Sequence, residues 1–445
     1  MKRTVFSIIL LGSLLLSMGD LYSQEVILSG ELRPRYEYQH GYKTLFPDNQ
    51  TAANFVSQRS RLNAFYANSS FSTYLSIQNV RVWGDVNQLN VQDVNGFAIH
   101  EAWGEIKFYD FLYLKIGRQE ISYDDQRIFG AVNWAQQARS HDAAIFKFAF
   151  GKKNKLDVGF AYNAMSESLY KVNYTLANYK TIQWLHYHGD FGKSGLSFLF
   201  LNNGMAFDNN PDTTVVDQKV AFSQTIGPRY TFDGDKIDVS AAAYYQGGKN
   251  ANNRNLSAYY FSAEVNFNLV KSFTFGLGGE YLSGTPTIDQ ADKSKNDQSF
   301  TPLYGTNHKF NGFMDYFYVG NHAGNVGLVD IFLPLKYSVK KFTFQLTPHY
   351  FMSAATVSSP VVVGETKTWV DYSNGLGTEI DFTIDWAVTK SVVITGGYSQ
   401  MFATETMQVI KYPKDVTADF YQNTNNWAYI MVTFKPTFFK KEFEK

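Results

Sequence analysis

The arginines of this 445-residue chain are spaced for a common purpose. Arg33 and Arg35, then Arg59 and Arg61, are two positions apart, so in an extended chain each pair stands on one face. Arg81, Arg118, Arg127 and Arg139 follow within the first third, and after them come only Arg229 and Arg254. Stacked guanidinium groups between low-dielectric walls concentrate a positive potential that attracts anions. Glu31, Glu37, Glu101, Glu105 and Glu120 are interleaved with them and limit their repulsion. Later polar faces carry Asp238, Glu264, Glu280, Asp330, Glu379, Asp381 and Asp385 instead. A basic wall opposite an acidic one gives a transverse field that orients hydrated, dipolar solutes and disfavours apolar ones. Ion pairs bracing a wall would use the same residues, and the two roles can coexist.

Other pairings point to no chemistry of their own. His186 and His188 stand two apart and offer one edge of a metal site, without the carboxylates that would complete it. His141-Asp142 lacks a nucleophile elbow or a Ser/His spacing. Glu379, Asp381 and Asp385 imitate paired glycosidase carboxylates, but an acidic wall explains them more simply. Asp289, Asp292 and Asp297 lack the strict spacing of a calcium loop. Without cysteine there is no disulfide, thiolate nucleophile or thiolate metal site. We therefore expect no catalytic residue, cofactor or metal.

The elements that carry these residues are strands. From Ile27 to Gln39 the odd positions are mostly ionic or polar and the even ones are Leu28, Gly30, Leu32, Pro34, Tyr36 and Tyr38. One face suits lipid and the other a wet lumen. The same alternation recurs in about 18 runs, near 25–40, 55–68, 71–83, 97–109, 111–120, 134–150, 155–165, 178–190, 194–206, 217–233, 236–248, 254–269, 271–283, 326–338, 341–354, 374–387, 390–402 and 425–438. A charged tail, 440–445, follows the last. Short turns alternate with longer loops, the longest from about 284 to 325. Aromatics are 17% of residues, yet mean hydropathy is only −0.26, because alternate positions face water. Lys2 and Arg3, an apolar run from Val5 to Leu16 and the small exit around Ser23 read as a cleavable signal, 1–23. The expectation is a transmembrane antiparallel β-barrel of about 18 strands in the cell outer membrane, one domain over 24–445. A soluble sandwich or solenoid would show the same alternation, but no fixed-period repeat supports the latter.

Residues Gly117-Arg118-Gln119-Glu120, Asp124-Asp125-Gln126-Arg127, Gly130, Trp134, Gln137, Arg139 and Asp142 resemble the strand-loop-strand signature of the alginate-export family of outer-membrane barrels. Pro302 to Phe317 resembles a second segment of that family. The resemblance implies an 18-stranded barrel passing an anionic polysaccharide through an arginine-rich conduit, with Arg118, Arg127 and Arg139 at its basic positions. This chain departs from a strongly basic conduit, since its net charge is zero. That balance also points away from nucleic acid.

The expected function is a porin-like channel for hydrophilic or saccharide-like, possibly anionic, solutes or polysaccharide; the alternative is a non-transport barrel, enzyme or adhesin, acting through its long loops. Without an N-terminal plug domain, energy-coupled uptake is not expected. Its partners are outer-membrane lipid and solute. The expected lumen lining is Arg33, Arg35, Arg59, Arg61, Arg81, Glu101, Glu105, Arg118, Gln119, Arg127, Arg139, Glu379 and Asp381. Residues 300–317 are aromatic-rich for a solvated loop, so they should fold back into the mouth, with Asn307, His308, Lys309 and Asp315 at a constriction.

Overall fold

The structure, a computed structural model, describes residues 24–443 apart from 91, 176, 211–216, 319–321, 323, 324, 364 and 365. The expected signal segment, 1–23, lies outside the described residues. The strands are β1 (Gln24–His40), β2 (Ala53–Ala67), β3 (Phe71–Val82), β4 (Ala98–Tyr109), β5 (Leu112–Gln119), β6 (His141–Phe150), β7 (Asn154–Tyr162), β8 (Tyr179–Phe191), β9 (Ser194–Asp208), β10 (Gln218–Asp233), β11 (Ile237–Lys249), β12 (Asn255–Val270), β13 (Phe273–Leu282), β14 (Leu328–Phe332), β15 (Leu335–Val339), β16 (Phe342–Met352), β17 (Ser358–Val363), β18 (Thr366–Asp371), β19 (Gly375–Thr389), β20 (Val392–Ala403), β21 (Asn425–Phe434) and β22 (Thr437–Phe443).

Twenty of them form one antiparallel sheet, closed because β1 pairs with β2 on one side and with β21 and β22 on the other. Closure leaves no edge of unpaired backbone in lipid. Pro334 interrupts one wall crossing between β14 and β15, and Pro436 another between β21 and β22, because proline supplies no ladder N–H. The barrel therefore has 18 crossings. The remaining hairpin, β17 with β18, stands apart as a two-stranded sheet in an external loop.

Turns at one end are two or three residues long, as at 68–70, where the Asn68 side chain accepts from the N–H groups of Ser70 and Phe71. Loops at the other end are longer, notably 120–140, 283–327 and 404–424. The alternation holds: Leu28, Leu32 and Tyr36 are exposed on the outer wall, whereas Arg33, Arg35 and Glu37 are buried inside.

Two expected boundaries move. The run expected from 134 begins only at His141, because residues 133–136 leave the wall and are captured inside by arginines. The expected tail is strand: β22 runs to Phe443 against β1, and Lys440 pairs with Glu25 at 3.2 Å.

Candidate functional site: two loops joined inside the barrel

The 120–140 and 283–327 loops fold into the lumen and bind each other there. The Gly130 N–H donates to the Tyr304 carbonyl at 2.9 Å, the Thr306 N–H to that of Gln126 at 2.8 Å, and the Val132 N–H to the Thr306 hydroxyl at 3.0 Å. Trp134 stacks on His308, whose Nδ1 pairs with Asp315 at 2.9 Å. The Tyr42 hydroxyl also donates to Asp315.

Four consecutive side chains pin the first loop to four places. Asp124 takes His186 Nε2 at 3.0 Å and the Ser197 hydroxyl at 2.5 Å, on β8 and β9. Asp125 pairs with Arg229 on β10 at 2.7 Å. Gln126 accepts from Thr306 in the other loop. Arg127 crosses to β13, where it pairs with Glu280 at 2.8 Å, and also donates to Asn311 at 3.0 Å. Burial is the largest single influence and opposes the charge on Arg127, but Glu280, Tyr260 and Asp125 together outweigh it and raise its proton affinity above the ordinary guanidinium range.

The two charged walls hold opposite ends of the backbone dipole. On β1 and β2, Arg33 donates to the carbonyls of Asn133 (2.7 Å) and Trp134 (3.2 Å). Arg35 donates to that of Trp134 (2.7 Å), and Arg59 to that of Gln136 (3.3 Å). Arg35 also lies 3.9 Å over the Trp134 ring. Across the barrel, on β19, Glu379 accepts the Met314 N–H at 2.7 Å and Asp381 the Phe313 N–H at 3.1 Å. Gly312 has a positive φ of 82°, and a Cβ there would lie 2.6 Å from the Glu379 carboxyl carbon, so the close approach requires glycine. His349 completes this wall between Asp330 (2.9 Å) and Asp381 (3.6 Å).

The expected lining residues thus separate into groups. Arg33, Arg35 and Arg59 face inward, and their donors are spent on loop carbonyls, on the Gln136 side chain and on Glu31 or Glu37; of the three only Arg35 borders a chamber. Arg61 reaches Gln78 at 2.9 Å and lies 3.9 Å from Glu120. Glu101, Glu105 and Gln119 are inside: Glu101 accepts from Trp103, Glu105 holds Lys147 at 2.7 Å, and Gln119 donates to the Ala143 carbonyl. Arg118 corrects the expectation, whereas Arg81 stands at the rim and borders the chamber beside Arg35 and Glu37. Arg118 alternates with outward Leu114 and Ile116 and pairs with exposed Asp142 at 2.8 Å. Arg81 alternates with outward Leu75 and Ile77 and pairs at the rim with Asp93 of the 83–97 loop. For Arg118 strand alternation, not residue charge, decides the face.

The folded loops divide the lumen into chambers. A cavity of about 740 Å³ opens among Arg139, Tyr179, Asn203, Gln246, Asn250 and Tyr304. A second, of about 480 Å³, lies by Arg35, Glu37, Trp134, His308 and Asp315. A third, of about 230 Å³, is bordered by Asp125, Arg229, Glu264, Lys309, Phe310 and Gln345. His308 and Asp315 border one chamber while Lys309 borders another, so this segment is the partition. Asn307 opens the turn Asn307–Lys309, but its side chain lies outside the described residues. Arg139 donates to the Gly305 carbonyl at 3.2 Å and, among the described residues, has no carboxylate within 4.0 Å. Burial lowers its proton affinity, and the nearby Tyr318 and Tyr304 hydroxyls offset that only in part. Among the described residues, His100, Glu101 and Glu120 have ligand atoms within 4.8 Å of one another, but Arg61 already supplies a cation beside them.

Strand alternation alone misses Asp124, Asp125, Trp134 and Gln136, because they lie in a loop. Their signal is the run Asp124-Asp125-Gln126-Arg127 itself, four hydrogen-bonding side chains in a row where a solvated loop needs none.

The profile of the family described as "Alginate export" matches residues 24–412. The chain belongs to that family. It is an outer-membrane channel for hydrophilic solutes, set in lipid, and not an enzyme. Solved porins share its fold. OccAB4 of Acinetobacter baumannii is 12% identical with a TM-score of 0.58, covering 93% of this chain and 98% of that one. OpdL of Pseudomonas aeruginosa is 10% identical with a TM-score of 0.58, covering 93% and 99%. A BenF-like porin of Pseudomonas fluorescens Pf-5 is 10% identical with a TM-score of 0.56, covering 93% and 98%. No curated protein sequence matches.

Proposed function

We propose that the channel selects polyhydroxylated solutes bearing a carboxylate, sugar acids or short chains of them, and that the larger chamber is where they are recognised. The observation that carries this reading is Arg139, a guanidinium without a carboxylate partner among the described residues, beside Asn203, Gln246 and Asn250 and the rings of Tyr179 and Tyr304. Amides match hydroxyl groups as donor and acceptor, aromatic faces take the apolar face of a sugar ring, and a free guanidinium takes a carboxylate in a two-point contact. The family's name, with its reference to alginate, points to the same class. The charge that sorts solutes is then Arg139, whereas Arg33, Arg35 and Arg59 position the loop that forms one side of the passage.

The test is current block in planar bilayers, comparing galacturonate with galactose. Galacturonate should block at lower concentration, and Arg139→Gln should weaken that block about tenfold, the worth of one charge-assisted contact, while leaving galactose unaffected. Equal block by the two sugars in the unaltered protein would refute the proposal.

A further inference from the structure

Two neighbouring rows of polar side chains cross the outer wall, on the face that meets lipid. In the upper row Arg118 of β5 is opposite Asp142 of β6, and Tyr162 of β7 is opposite Thr181 of β8. Lys180 lies 4.2 Å over the Tyr162 ring, and its ammonium donates to the Asn163 carbonyl. In the lower row Gln183, Asn202 and Gln224 sit side by side on β8, β9 and β10. Their amides form a chain, Asn202 donating to Gln183 at 2.7 Å and Gln224 to Asn202 at 2.8 Å. Apart from Lys180, which sits at the register irregularity of β8 and reaches the row through the Tyr162 ring, they share the outward alternation of exposed Ile116, Phe160, Phe200 and Ile226.

Height on the wall tells what these groups meet. Immediately toward the short-turn end the wall carries Leu185, Phe200, Ile226, Tyr245 and Tyr259 in register, an apolar row ending in two exposed tyrosines. Tyrosines mark the boundary between acyl chains and headgroups. Arg118, Asp142 and Tyr162 stand within one residue of the long-loop ends of β5, β6 and β7, where the wall gives way to loops.

We propose that this face binds a phosphorylated glycolipid of the outer leaflet. Arg118 on β5 and Lys180 on β8, roughly 14 Å apart across three strand spacings, would each take one of its phosphates, and the amide chain its sugar hydroxyls. Lys180 has no carboxylate within 4.0 Å among the described residues, and Asp142 neutralises only Arg118, so the patch carries a net positive charge that suits an anionic headgroup. The proposal rests on membrane location alone and stands or falls apart from the choice of solute.

The experiment is native mass spectrometry of the full-length protein in phosphatidylcholine nanodiscs containing diphosphoryl lipid A. The unaltered protein should retain lipid A. Arg118→Ala and Lys180→Ala should each reduce retention about fivefold, the attraction one basic side chain has for an anionic surface, with heat-modifiable gel migration unchanged. Dephosphorylated lipid A on the unaltered protein should be lost equally, which tests the idea without any variant. Retention that ignores both the variants and the phosphate would overturn the proposal. So would disulfide-linked dimers formed through Asn202→Cys, since a second copy would then own the face.

Discussion

Replacing Arg127 with Met should release the two inserted loops from the acidic wall. The guanidinium is 2% exposed, bonds Glu280 at 2.8 Å and Asn311 at 3.0 Å, and lies 4.5 Å over the Phe310 ring. Methionine fills much of the volume but leaves the Glu280 carboxylate buried with only Tyr260 (2.7 Å) and Asn311 (2.9 Å) as partners. Breaking a buried ion pair from one side costs about 3–5 kcal/mol. Because Arg127 joins one loop to the wall that also holds the other, that cost falls on loop docking more than on the sheet, whose ladders are untouched. The ratio of docked to released loops should shift by roughly two to three and a half orders of magnitude, at about 1.4 kcal/mol per tenfold. In single-channel recordings Arg127→Met should show frequent transitions to a larger conductance, and adding Glu280→Leu should restore most of the quiet state. If Arg127→Met records like the unaltered protein, or if the second substitution makes matters worse, Arg127 is not the clamp.

Three further outcomes follow from the same contacts. Arg59→Ala leaves Glu31 without its 2.7 Å partner and frees the Gln136 carbonyl, so hydrogen exchange over 133–137 should rise while the β1–β2 ladder stays protected; unchanged exchange would mean that the arginines do not hold the loop. Lys411 ends the helix Glu405–Lys411 and donates to the Tyr316 carbonyl beneath it, and burial pushes its proton affinity down to about 7. A released loop binds the proton more readily than a docked one between that value and roughly 10.5. Docking of the 404–424 loop should therefore strengthen up to about tenfold per pH unit as pH rises through that window, measured by protease protection, and Lys411→Met should abolish the dependence. Gly312→Ala should undock the 283–327 loop, because the new Cβ meets the Glu379 carboxyl in a backbone region disfavoured for alanine; a quiet channel in that variant would contradict the packing.

Strand alternation made the wall legible because lipid outside and water inside impose a period of two on each crossing. Arg33, Arg35 and Arg59 were assignable to the lumen on that ground. Their task was not, because their partners are carbonyls of residues 133–136, about a hundred positions away and in no regular element. Arg118 shows the converse error. A charged side chain on the outer face near the rim meets headgroups and water instead of acyl chains, so charge gives no warning there. The aromatic-rich stretch 300–317 did announce that it folds back, since Met314 and Tyr316 have no place in water and are fully buried. The β17–β18 hairpin and the helix Glu405–Lys411 gave too short a pattern to separate from loop.

The central claim is that this barrel conducts, and that the two joined loops set its bore. Single-channel recording of the intact protein beside one in which residues 302–316 are replaced by a short Gly-Ser linker tests it most directly. Discrete conductance steps in the intact protein, and larger steps in the variant, are the predicted result. No steps in the intact protein, or equal steps in the two, would contradict the account.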